Sequence, residues 1–147
     1  MPQAPPRRLA HFARALLRYE AEKAGTGNVP ATGFQPVCRG LRARLAPLIS
    51  SQGVQTLLAR AIKLAARDHP ILATVSVPAD DDCAPIGLPA AIDVHQPKET
   101  SEALTAVLAH FIWLLVIFLG ENLGLRKVRE GWPEVPFDTS DSSGAEE

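Results

Sequence analysis

Apolar and polar residues recur with a helical period along the first seventy positions. Between Arg7 and about Ala24, Leu9, Phe12, Ala13, Leu16 and Leu17 fall on one face, while Arg7, His11, Arg14 and Arg18 fall on the other. That spacing predicts an amphipathic helix. Pro5 and Pro6 precede it and Gly25 is a natural stop. The segment Gly25–Pro36, with three Gly and two Pro, reads as a loop. A second stripe of Val37, Leu41, Leu45 and Leu48 predicts a helix from about Pro36 to Ile49. Pro36 is tolerable in its first turn, and Pro47 frays or kinks its end. Ser50 or Ser51 can then cap a third helix running to about Asp68. This helix buries Val54, Leu57, Leu58, Ala61, Ile62 and Ala65 and turns Arg60, Lys63 and Arg67 outward. His69-Pro70 ends it, because the residue before a proline is pushed out of the helical region.

Downstream the pattern changes. Ile71–Val77 alternates as one short strand would, with no second strand to pair with it. Residues 78–97 hold four prolines and the run Asp80-Asp81-Asp82, which reads as an irregular excursion. From Ala103 to Gly120 eighteen residues then pass without a charge. A bilayer-spanning helix needs about 20 mostly apolar residues, and this stretch also carries Thr105 and His110. It therefore fits either a short span or the central helix of a bundle. One continuous helix is predicted from Pro97–Ser101 to about Glu130, with Arg126, Lys127 and Arg129 in its last turns and Gly131 and Pro133 as its stop. The acidic, small-residue stretch 138–147 reads as a disordered tail. The fold class is mainly all-α: a single helical domain over residues 1–137, three amphipathic helices covering one long hydrophobic C-terminal helix.

At 147 residues the chain is long enough to bury roughly 70% of its unfolded surface without covalent staples. Cys38 and Cys83 show no metal-ligand spacing and are read as two reduced thiols, which points to the cytoplasm. Arg14 and Arg18 interrupt what would be the apolar core of a signal peptide, so secretion is not expected. The net charge of −1 conceals a division: residues 1–70 carry 11 Lys+Arg against 3 Asp+Glu, and residues 71–147 carry 4 against 13. The plainest use of a basic half is to dock on the acidic half.

Few residues suggest chemistry. In one continuous helix His110 and Glu121 would share a face with Trp113, about 16 Å apart. Such a pair needs another element to complete an acid/base or metal site. The plainer expectation is a buried histidine hydrogen-bonded to a neighbouring helix, with Glu121 paired to an N-terminal arginine. Gly120 and Gly124 form a small-xxx-small pair that would allow close helix crossing or dimerisation. Leu45–Ile62 superficially resembles a helix-turn-helix with Arg60, Lys63 and Arg67 on its second helix. Pro47 and the weak base-reading potential of Gly53, Val54, Gln55 and Thr56 disfavour nucleic acid. Trp132, between Gly131 and Pro133, is expected to fold back over Leu125 or Val128 as an anchor while its N–H finds a carbonyl. No phosphate loop, zincin pair or nucleophile elbow is present in the sequence, so no catalytic residue, cofactor or metal is assigned.

The order C-R-x-L-R-x-x-L at Cys38–Leu45, G-V-x-x-L-L-A-R-A-I-x-L-A at Gly53–Ala65, and G-E-N-L-x-L-R-x-V-R-E-x-W-P at Gly120–Pro133 resembles a group of short, uncharacterised bacterial proteins. The resemblance covers roughly two-thirds of the chain. It implies a bacterial source and a common helical fold, but no activity and no site residues. The group's pattern has Thr at the position of Gly124. Together these features suggest a cytoplasmic, non-enzymatic interaction or adaptor protein whose partner is a second copy or another protein. The alternative is a single-span or peripheral protein of the inner membrane. A span would be awkward, because basic residues on both sides of the apolar run favour the same cytoplasmic side.

Overall fold

The computed structural model describes residues 7–23, 25, 34–70, 72 and 97–135. The proposed strand at 71–77, the acidic excursion, Cys83 and the acidic tail lie outside these residues, except for Leu72, which is buried in a turn closed by its N–H to the His69 carbonyl. All regular structure among the described residues is helical: α1 (Arg7–Lys23), α2 (Phe34–Ala66), α3 (Pro97–Leu119) and α4 (Glu121–Gly131).

α1 follows its stripe. Leu9, Phe12, Ala13, Leu16, Leu17 and Ala21 are buried, and Arg7, His11, Arg14 and Arg18 are exposed. α2 is two helical limbs joined at Ser50, whose backbone (φ 70, ψ 160) is non-helical. Ser50 Oγ accepts the Gly53 N–H at 3.1 Å, capping the second limb where the sequence places a cap. Phe34, Val37, Leu41 and Leu45 face inward from the first limb; Val54, Leu58, Ala61, Ile62 and Ala65 do so from the second. Leu48, expected on the buried stripe, is exposed instead, because the bend at Ser50 carries the end of the first limb past its cover.

The continuous helix expected from 97 to 130 is corrected. It breaks at Gly120 (φ 92, ψ 151), a conformation open almost only to glycine. α4 then folds back on α3. The turn permits this because Gly124 has no side chain: a Cβ there would lie 3.1 Å from the Leu115 carbonyl oxygen. Leu125 and Val128 complete the buried face of α4.

α3 packs against α1, α2 and α4, and from Ala103 to Leu115 nearly every side chain is buried. An apolar helix needs cover on all sides, and three amphipathic neighbours supply it. Glu99–Leu119 has the length and composition of a membrane span, yet these neighbours wrap it as a core helix. α1 runs alongside α4 in the same direction, with Arg8 beside Glu121 at one end and Tyr19 bonded to Glu134 at the other. The first limb of α2 runs opposite to α4, Gly40 facing Trp132 and Leu48 reaching the level of Phe118. One end of the bundle therefore gathers the start of α1, the bend of α2 and the turn from α3 to α4. We call this end the tip.

Candidate functional site

Among the described residues, large apolar side chains reach the surface at the tip. Among the described residues the exposed large hydrophobic side chains are Leu48 (44% exposed), Ile117 (48%) and Phe118 (64%), all of them at the tip. Leu48 and Ile49 before the bend, Gly53, Thr56 and Leu57 after it, and Phe118 and Leu119 at the end of α3 line an open groove of about 370 Å³. Helix geometry explains the exposure. The last turn of α3 is partly uncovered where the bend at Ser50 ends the first limb of α2 beside it. Scattered exposed apolar residues are ordinary, but a contiguous apolar groove marks a contact surface.

The residues singled out from sequence are dispersed. His110 and Glu121 do not share a helix: His110 is buried mid-α3, and Glu121 opens α4, exposed and paired with Arg8 at 3.3 Å. Burial holds the imidazole below its ordinary pKa, while the carboxylate of Asp68 acts in the opposite sense and His69 and Arg67 reinforce burial. Trp113 is half-buried, and its indole N–H is shut from solvent without a hydrogen-bond partner among the described residues. Gly120 and Gly124 serve the α3–α4 turn within one chain. Arg60, Lys63 and Arg67 are exposed on and just after the second limb of α2.

Trp132 is buried (4% exposed) in the same apolar core as Leu125 and Val128. Its ring lies across Gly40 of α2, where a Cβ would approach within 2.8 Å, and its Nε1–H donates to Glu20 of α1 at 2.7 Å instead of to a carbonyl. Beside it the Tyr19 hydroxyl donates to Glu134 at 2.8 Å, which raises the phenol pKa. This cluster joins three helices at the end away from the tip.

Among the described residues no group of three or more His, Cys, Asp or Glu side chains is placed to hold a metal ion. Cys38 is buried. No protein-family model matches the chain, and no curated protein or solved structure matches it. The exposed apolar tip was not legible in the sequence, where Leu48 reads as core and Ile117 and Phe118 as parts of a continuous apolar run. The signal that pointed to it was indirect: Pro47, Ser50 and Gly53 close together mark a bend beside which apolar residues lose their cover.

Proposed function

We propose that this protein is a non-enzymatic interaction protein, a helical bundle that meets its partner through the apolar tip. The observation that carries the reading is that the exposed large apolar side chains among the described residues, Leu48, Ile117 and Phe118, all lie at the tip, Leu48 and Phe118 lining its groove, while most of α3 is buried. A chain that buries its core this thoroughly and leaves three large apolar side chains together has a surface suited to a partner. The same reading makes it a cytoplasmic bacterial protein with α3 as a bundle core, not a span. A second copy, another protein or a bilayer would each cover such a tip.

The test asks whether the tip is open in the folded protein. The wild-type chain, prepared without detergent, should be helical by circular dichroism and should enhance the fluorescence of an uncharged apolar dye such as Nile red. The double variant Ile117→Ser, Phe118→Ser should keep its helicity and melting temperature, since both positions are exposed, and should lose most of the enhancement. Equal dye binding by both proteins would show that the tip is not the contact surface.

A further inference from the structure

The charges around the tip favour one occupant. Within about two helical turns of it the described residues carry Arg7, Arg8 and Arg14 on α1, Arg44 on α2 and Arg126 and Lys127 on α4, the last paired with Glu130, against Glu121 alone. Arg8 neutralises Glu121, and Arg44 reaches back to Glu130 at 3.8 Å. Arg7, Arg14 and Arg126 are exposed and form no ion pair among the described residues. The acids Glu20, Glu22, Glu99, Glu102, Glu130 and Glu134 lie toward the other end, on the last turns of α1, the first turns of α3 and the end of α4. The other end also carries Lys23, Arg39 and Arg129, so what distinguishes the tip is its exposed apolar side chains beside arginines that form no ion pair among the described residues.

We infer that the tip docks on an anionic bilayer surface, with Phe118, Ile117 and Leu48 entering the headgroup boundary and Arg7, Arg14 and Arg126 facing anionic headgroups. The inference rests on the reading of the tip as the contact surface and names what covers it. Two weak signals, a few apolar anchors and a cluster of arginines, together give reversible membrane binding that neither gives alone. Arginines within a Debye length of the surface, about 8 Å at physiological salt, contribute, and Arg7 and Arg126 stand within the first turns from the tip. A second copy fits less well. A stable protein interface buries about 800 Å² per partner, far more than three partly exposed side chains offer, and a tip-to-tip pair would bring the unpaired arginines of both copies together.

The experiment is sedimentation of the full chain with sucrose-loaded vesicles of phosphatidylcholine alone or with 30% phosphatidylglycerol. We expect binding to the anionic vesicles, little to the neutral ones, and release at high salt. Each of Arg7→Gln and Arg126→Gln should weaken binding about fivefold, the equivalent of roughly 1 kcal/mol per arginine near a charged surface. Ile117→Ser with Phe118→Ser should abolish it. Equal binding to both vesicle types would overturn the charge argument, and anionic binding that survives the double serine variant would overturn the insertion geometry. If the wild type stays in the supernatant yet still binds Nile red through the tip, the bilayer is the wrong occupant while the tip remains a contact surface. Light scattering that then finds a dimer dissolved by Phe118→Ser would assign the tip to a second copy. Loss of dye binding as well would remove the contact surface itself.

Discussion

Trp132 ties three helices through one side chain, and each of its contacts can be weakened separately. It caps α4, fills the space left by the missing side chain of Gly40, and donates its N–H to Glu20. Trp132→Ala should cost roughly 3–5 kcal/mol, the range for removing a buried aromatic ring. Trp132→Phe keeps most of the ring and forfeits a hydrogen bond to a carboxylate, so about 1.5–3 kcal/mol is expected. Gly40→Ala should destabilise as well, by about 1–3 kcal/mol, because the new methyl group meets a rigid ring. Chemical denaturation of the three variants checks the order; an unchanged Gly40→Ala protein would mean that the ring does not rest there. That Trp132 would be an anchor was readable from its place after a helix, but which residues it meets was not, since Gly40 and Glu20 are far away in sequence. His110 supports a second prediction. Its pKa is lowered in the fold, so the unfolded chain binds the extra proton more readily. Stability from this group is therefore full above pH 6.5, the ordinary histidine value, and falls as the pH drops below it toward the depressed value of the folded state. The melting temperature should decline from pH 7.5 to 5.5, and His110→Gln should remove part of that decline; an identical slope in the variant would show that another group controls it.

The two breaks, at Ser50 and Gly120, define how the helices fold on one another, and they were legible to different degrees. Pro47, Ser50 and Gly53 crowd one stretch, so a stop and a new cap were expected there, and the cap is made by Ser50. Gly120 stands alone in a run that keeps its helical period on both sides. A single glycine inside a helix costs only about 1 kcal/mol, too little to predict a break. What turns the chain is tertiary: Leu125 and Val128 gain burial only if α4 doubles back, and Gly124 lets it come close. Ser50 offers a test with opposite signs. Its positive φ is strained for any residue with a Cβ, at about 1–3 kcal/mol, while its hydroxyl caps the second limb. Ser50→Gly relieves the strain and, as glycine caps almost as well, should raise stability by about 1 kcal/mol. Ser50→Ala keeps the strain and loses the cap, at a cost of about 0.5–2 kcal/mol. If both variants are destabilised equally, the bend does not store strain at this residue.

Whether the apolar run is a core helix or a span is a property of the entire bundle, because the same eighteen uncharged residues serve either. The division of charge between the halves of the chain bears on it: Arg8–Glu121 and Arg44–Glu130 join the basic half to the acidic one across the bundle. Such partly exposed pairs are each worth at most about 1 kcal/mol, so they set register more than stability. The burial of α3 must supply the rest, and Leu115 and Phe118 separate the two readings, being neighbours on one helix with opposite exposure. Leu115 is fully buried and Phe118 is 64% exposed. In a soluble bundle Leu115→Asp places an unpaired charge in the core at a cost of several kcal/mol, a large part of the 5–15 kcal/mol that holds a typical domain. That variant should be unfolded or insoluble. Phe118→Asp should fold normally and stay in the detergent-free supernatant, since its carboxylate reaches water. In a spanning helix each aspartate would hinder insertion by up to about 3 kcal/mol near the bilayer centre, and the wild type would be extracted only by detergent. Fractionation of the three proteins, with circular dichroism of the soluble material, distinguishes these outcomes: two soluble helical proteins and one lost variant fit the bundle, and a wild type held in washed membranes overturns it.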